Sequence, residues 1–528
     1  MTTRSVESAG HGSGDTHAVV TGTLNSIYRP EVDVSGIDEK KLMRKVDLHV
    51  IPWLTILYLF SFLDRGSIGN AKLYNLENDL GITDKQYLLA LSMFFIPYAL
   101  FEPASNVLLK RLRPSVWLSS MMLLWGTVMT LHGIVKDFGG LLALRLLLGL
   151  TEAGLYPGVV FYISSWYKRS ETGFKVAIFF SSATVAGAFS GLLAAAIAKM
   201  DGIGGRPGWA WIFILEGLAT VFLAIVSFWV VQDFPDTARF LTDQERAFII
   251  RRLQEDMKFS ASGEAFSSEY VWQSLKDWKT YIAMGLYMGF DGPLYAFSLF
   301  LPSIINQVSP FHPVLVLQGA HSYQLQLGYT ATRANLLSVP VYAWGCILTC
   351  VVGYLGDRFG HRSHINLALF AAGLAAYIIL LVSKSDALSY FAVYLAVSAI
   401  YPMIPNSVAW VASNVEGSYK RSVTLGMAIG FGNLNGAVTA NIYRAKDRPW
   451  YRLGHAIVLG YIAFGLVCSL LFYILLKREN ERRDRRERDE VIEGVDNKYA
   501  HEGNGRYESI DAARLHKGDQ WSGFRYTL

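Results

Sequence analysis

Leu141–Gly158, LLALRLLLGLTEAGLYPG, is an apolar run that carries two opposite charges, Arg145 and Glu152. At 3.6 residues per turn, a spacing of seven puts both on one face of a helix, roughly 10 Å apart along its axis. Gly149 shares that face, and the remaining sides are mostly leucine. A charge inside the hydrocarbon of a bilayer is costly, so both are expected to face a bundle interior or a water-filled cavity. A second pair, Asp64-Arg65, interrupts the first apolar segment. The expectation is that the chain folds to place these four groups around one cavity.

The rest of the sequence agrees with a membrane setting. Of 528 residues, 52% are hydrophobic and only 17% charged, which excludes an ordinary soluble composition. The apolar residues fall into twelve blocks, each near the roughly 20 residues that cross a bilayer. These spans are expected near 48–70, 87–109, 115–135, 140–163, 174–198, 209–232, 279–305, 331–356, 364–383, 387–413, 421–443 and 455–477. The fold class is therefore an all-α membrane protein of 12 transmembrane helices in two six-helix bundles, 48–232 and 279–477, arranged as parallel repeats. The tail 1–47, polar to about residue 38, is expected to be disordered, and the charged tail 478–528 solvated or surface-associated.

Loop charges orient the chain. Lys40, Lys41, Arg44 and Lys45, Lys110-Arg111-Arg113, Lys168-Arg169, Arg358-Arg362 and Lys420-Arg421 all fall on one side, with the linker 233–278 and both tails. That side is expected to be cytoplasmic. The last outer loop, with Arg444, Lys446, Arg448 and Arg452, is an exception. In the linker, Thr242 followed by Glu245 is a capping box, and Phe248, Ile249 and Leu253 suit a helix lying on the membrane surface. No basic segment followed by a short apolar one opens the chain, so no cleavable signal is expected. The three cysteines, Cys346, Cys350 and Cys468, have no disulfide or zinc spacing and read as packing residues. No metal, cofactor or nucleic-acid partner is expected, and no nucleophile–base set or phosphate loop points to an enzyme.

Between spans 8 and 9, Gly353-Tyr-Leu-Gly-Asp357-Arg358-Phe-Gly360-His-Arg362 resembles the GxLxDRxGxR loop of the major facilitator superfamily, apart from Tyr354. The resemblance implies a gating loop whose charges make and break as the halves rock. The corresponding loop after span 2, Pro103 to Arg111, lacks the aspartate. SFLDRGSIGNA (61–71), RLLLGLTEAGLYPG (145–158), FPDTARFLT (234–242), PLYAFSLFLPSII (293–305) and GFGNLNG (430–436) are similar to the fungal allantoate and nicotinate permease branch of the anion:cation symporters. That resemblance implies uptake of an organic anion with a cation, protons being expected, by a monomer in the plasma membrane. Residues 308–326 depart from the branch. They begin with Val, whose codons start GT, and end with Gln, which CAG encodes; an unspliced intron and a real outer loop stay equally open, and in the first case His312 and His321 carry no function.

Charge accounting suggests a mechanism. Arg65 or Arg145 suits a carboxylate held bidentately. Neither arginine loses its proton, so Asp64 and Glu152 are the titratable partners, with roles that the resemblance also implies. Glu152 is preferred as proton carrier. An interhelical Asp64–Arg145 ion pair with no substrate role is the competing reading. In the second half Asp291 is a further titratable candidate and Tyr295, one turn on, a cavity-lining one. Asn406, Asn414, Asn433 and Asn435 either recognise polar ligand groups or join helices. Glu102, ahead of Pro103, suits a gate contact, while Glu216 has no assigned facing. The competing functions are a proton-driven drug exporter and a nutrient sensor. The first is disfavoured because SSATVAGAFSGLLAA (181–195) lacks a Gly-Pro signature; the second because the tails hold no signalling domain.

Overall fold

A capped helix begins the membrane region. Asp38 accepts the amides of Lys40 and Lys41 and starts α1 (Glu39–Leu73), supplying partners that the first turn of any helix lacks. The computed structural model describes residues 28–29, 31–256, 268–308, 323–383, 385–443 and 451–528. The expected disorder of the first 27 residues, most of segment 308–326 with His312 and His321, and Arg444, Lys446 and Arg448 lie outside the described residues.

Helices α2 (Asp84–Leu112), α3 (Pro114–His132), α4 (Phe138–Glu152), α5 (Leu155–Ser164), α6 (Thr172–Ile197) and α7 (Gly208–Val230) complete the first half. The linker carries α8 (Asp243–Glu255). The second half holds α9 (Trp278–Val308), α10 (Tyr323–Phe359), α11 (Arg362–Val382), α12 (Asp386–Ser413), α13 (Ser418–Thr439) and α14 (Arg452–Asp484). Among the described residues, ten helical stretches are long and apolar enough to cross a membrane, α4 and α5 counting as one. Helices α9 and α13 pack among these ten. The stretch 140–163, expected as one span, breaks at Ala153-Gly154. Pro157, in the first turn of α5, has no N–H to continue the ladder from α4.

Two seams join the halves, α2 against α13 and α6 against α10. Along the first, Asn106 donates to the Ser422 carbonyl at 3.0 Å, Asn433 to Glu102 at 2.8 Å and Asn441 to Ser92 at 2.9 Å. These three contacts run from the linker end to the opposite end, so this seam is shut along its length. Its glycines let the backbones meet: a Cβ on Gly426 or Gly430 would run into residues 99–103 of α2.

Two expectations about the surface change. The box of Thr242 and Glu245 does cap α8, but Ile249 and Leu253 are buried against protein instead of lipid. Lys45 holds Glu245 at 2.8 Å and Arg252 holds Glu39 at 2.6 Å. The segment after α14 is folded and docked, not solvated. A two-residue parallel pair (β1, Val491–Ile492; β2, Arg506–Tyr507) precedes α15 (Ile510–Lys517). Beyond it, Phe524 and Tyr526 are buried, and Asp519 is fully buried between Lys279 (2.6 Å) and Lys420 (2.8 Å). Asn414 and Trp410 bind the Thr527 backbone, while Arg169 of the first half donates to the Arg525 carbonyl at 3.2 Å.

Candidate functional site

The site is built on α1, which presents Asp64 and Arg65 in different directions because successive helical residues are about 100° apart. Arg65 points into the junction of the two halves. Its Nη2 donates to Glu152 Oε1 at 2.7 Å and to the Tyr98 hydroxyl at 3.1 Å. Its Nη1 donates to the Tyr295 hydroxyl at 2.6 Å. Ser61, one turn before Arg65, donates to the same Glu152 oxygen at 2.7 Å. The rings of Phe62, Phe94, Tyr98 and Tyr295 lie 5.1–5.8 Å from the guanidinium carbon, within range of a cation–π attraction. Gly149 makes room for this arrangement, since a Cβ there would strike the Phe94 backbone of α2.

The second half completes the centre. Tyr295 donates to Asn433 Oδ1 at 2.8 Å, and Asn433 Nδ2 donates to Glu102 Oε1 at 2.8 Å. A hydrogen-bonded line therefore runs Glu152–Arg65–Tyr295–Asn433–Glu102 and crosses between the halves twice. Asp291, one turn before Tyr295, is buried and faces the charge of Arg65. Arg65 Nε, Glu152 Oε2, Glu102 Oε2 and Asp291 Oδ2 are buried with no hydrogen-bond partner among the described residues. Unmet polar atoms at one buried junction are what a small polar ligand and protons would satisfy.

The four charges expected around one cavity separate into two groups. Asp64 turns into the first bundle and accepts from Trp125 Nε1 at 2.7 Å and Thr220 Oγ1 at 2.9 Å. Arg145, two turns up α4 from Glu152, stacks over Phe213 at 5.9 Å with Nε and Nη2 unmet. No Asp64–Arg145 ion pair forms among the described residues. Glu216 faces this inner group, bonded by Ser67. The sequence offered the signal for this division: adjacent positions on a helix diverge, whatever their depth.

The amides also divide. Asn433 lies at the centre, and Asn435 is buried with Nδ2 unmet. Asn406 instead joins helices, donating to the Arg362 carbonyl at 3.0 Å and Asn366 at 2.8 Å. Asn414 holds the C-terminal segment. Both are candidate ligand residues whose amide donors bond helices or the C-terminal segment instead, while Asn406 Oδ1 stays unmet among the described residues.

At that end the loop after α10 acts on the first half. Asp357 accepts the amides of Gly173 (3.1 Å) and Phe174 (2.6 Å) at the start of α6 and pairs with Arg362. A carboxylate there meets unpaired amides and the positive end of the helix. Arg362 also reaches the Arg169 carbonyl at 3.2 Å, Gly353 packs on Ala177, and Gly360 takes φ +69° at the turn. Arg358 is exposed and donates to the Tyr354 hydroxyl at 3.3 Å. A cleft of about 500 Å³ opens beside this loop, lined by Asp47, Lys175, Tyr354 and Arg358. Within it Asp47 and Lys175 pair at 2.7 Å.

Residues 54–440 match the family model described as Major Facilitator Superfamily. The MFS-type transporter cnsO of Penicillium expansum is 34% identical over 85% of this chain and 86% of its own. The high-affinity nicotinic acid transporter of Saccharomyces cerevisiae is 30% identical over 84% of this chain and 79% of its own. Among solved structures, the proton:xylose symporter XylE superposes with a TM-score of 0.55 at 13% identity, covering 81% of this chain and 96% of that one, a likeness of fold alone.

Proposed function

The chain belongs to the major facilitator superfamily and is a membrane transporter, not an enzyme; from that premise we propose that it imports a small organic carboxylate together with protons. The proposal places it among the anion:cation symporters in the plasma membrane, working as a monomer, with α9 and α13 completing a set of twelve spans as the seventh and the eleventh. The linker end, rich in Lys and Arg, is the cytoplasmic one. The similarity to a nicotinic acid transporter supports nicotinate-like acids as the substrate class.

One observation carries the reading. Arg65, the guanidinium at the junction of the halves, is held by a carboxylate that can be neutralised, Glu152, at 2.7 Å. When Glu152 takes a proton, the ion pair loses its anion and Arg65 is left without that partner in a buried, aromatic-walled site. A substrate carboxylate then replaces the Glu152 charge on Arg65, in the geometry that guanidinium favours. Proton and anion enter together because either alone leaves a buried, uncompensated charge, which costs several kcal/mol. Tyr98, Tyr295 and Asn433 supply hydroxyl and amide groups around the bound acid. Asp64 and Asp291 are further proton-coupling groups, and Arg145 with Asn435 draws anions toward the centre. The Asp357–Arg362 loop opens and closes the linker end by giving up the α6 amides.

Uptake of radiolabelled small carboxylates, nicotinate among them, is to be measured in proteoliposomes under an inward proton gradient. Wild type is expected to accumulate at least one acid. Glu152→Gln is expected to lose gradient-driven accumulation while anion exchange persists. Export of lipophilic cations with no carboxylate movement would overturn the symporter reading.

A further inference from the structure

Glu102 is the one charged residue of α2 buried at the seam between the halves. It is fully buried. Oε1 accepts from Asn433 Nδ2 of α13 at 2.8 Å, and Oε2 has no hydrogen-bond partner among the described residues. Gly426 and Gly430 let α2 lie directly on the α13 backbone, and a Cβ on Gly430 would meet Glu102 Oε2 itself at 2.8 Å.

Charges facing it come from three other helices: Arg65 on α1, Glu152 on α4 and Asp291 on α9. Arg65 is the cation among these three, and it is already bonded to Glu152. An ionised Glu102 would be a further anion around one shared guanidinium, with an oxygen buried from bulk solvent and unmet by any group among the described residues. A buried charge without its own partner is strongly disfavoured, whereas a neutral carboxyl keeps the Asn433 bond. With the seam shut, the carboxyl therefore carries its proton. When α2 and α13 part at the linker end, Oε2 meets water. The O–H bond then breaks, the proton passes to water and the electron pair stays on the carboxylate.

We propose that Glu102 is a second proton-carrying group, which favours a shut α2–α13 seam while neutral and delivers its proton at the linker end as the seam opens. The proposal deepens the transport reading, since it gives the opening step a proton of its own. The Glu152–Arg65–Tyr295–Asn433–Glu102 line connects the two carriers, so anion binding at Arg65 is felt at the seam.

The test is distance measurement by spin labels at Arg111→Cys and His361→Cys, both exposed at the linker end, after replacing the three natural cysteines by alanine. Populations are read in nanodiscs from pH 5 to 9 without substrate. In wild type the open-to-closed ratio is expected to rise with pH, Glu102 contributing about tenfold per pH unit where it titrates, the value for one proton. Glu102→Gln keeps an acceptor for Asn433 but no removable proton. Its slope is expected to fall by one proton with the shut form favoured throughout, whereas a purely packing role would leave the slope unchanged. Glu102→Asp is expected to restore titration. A Glu102→Gln slope equal to that of wild type, or a wild-type ratio indifferent to pH, would overturn the proposal. Absence of carboxylate uptake beside an intact Glu102-dependent slope would instead reject the transport reading alone.

Discussion

Replacing Asp519 by Asn should release the C-terminal segment. Asp519 pairs with Lys279 Nζ at 2.6 Å and Lys420 Nζ at 2.8 Å, and accepts the Glu416 amide at 3.2 Å. All three side chains are nearly inaccessible, Lys279 at 1% and Lys420 at 3%. Without the Asp519 charge, both ammonium groups share Asp277 alone, at 2.8 and 2.7 Å. Removing one partner from a buried ionic network costs about 3–5 kcal/mol, or roughly a thousandfold in the docked-to-released ratio at 1.4 kcal/mol per tenfold. The amides of Tyr526 and Thr527, bonded to Asn480 and Asn414 at 2.9 and 2.8 Å, report directly on docking. Hydrogen exchange read by mass spectrometry over 519–528 is expected to accelerate by up to that factor in Asp519→Asn, with peptides of α3 unchanged. Acceleration below about threefold would refute the reasoning.

Three further outcomes are expected. Burial pushes the Asp519 carboxyl up, but Lys279 and Lys420 together override it and hold it well below the usual carboxylate range. A depressed folded value means that its stabilisation is complete above the unfolded value near 3.9 and fades only as pH falls below it; exchange over 519–528, corrected for the intrinsic pH effect, should therefore be flat from pH 7 to about 4.5. Arg65→Lys offers one compact ammonium where Nη2 meets Glu152 and Tyr98 while Nη1 meets Tyr295. It should raise the KM for a transported carboxylate at least about tenfold, and an unchanged KM would place the anion elsewhere. Gly289→Ala sets a methyl against the Gly465 backbone of α14, which should cost about 1–3 kcal/mol; an unchanged melting temperature would show that α9 and α14 separate freely.

Most of the helices were legible because a bilayer imposes length and apolarity together, and the observed helix ends differ from the expected ones by a few residues at most positions. Exceptions are informative. α14 runs on to Asp484 because its charged last turns pack on the docked segment, through Arg483 to the Phe524 carbonyl at 2.7 Å. The sequence grouped Arg65 and Glu152 with two other charges without pairing them; the pair, and the departure of Asp64, depend on the 100° step between neighbours on α1. Asn406 and Asn414 could not be told from Asn433 by sequence, since an amide's role depends on which helix faces it. The sequence marks Glu102 as a candidate gate contact; its bond to Asn433 joins residues 331 positions apart, beyond any local pattern. The pairing of Asp519 with Lys279, 240 positions apart, was hidden for the same reason.

Asp519 stands at the start of α13 as Asp357 stands at the start of α6, although the loop after α2 has no aspartate to offer. The carboxylate missing from one loop is thus supplied by a segment that follows every membrane helix in the sequence. Order of synthesis then matters. While the ribosome is still making the segment after α14, the helices can already be inserted, yet the start of α13 lacks its anion and Lys279 and Lys420 have Asp277 alone. A chain clipped before residue 519 would keep the Asp357 contact and the Asn106–Ser422 bond, but the start of α13 would lack the Asp519 carboxylate.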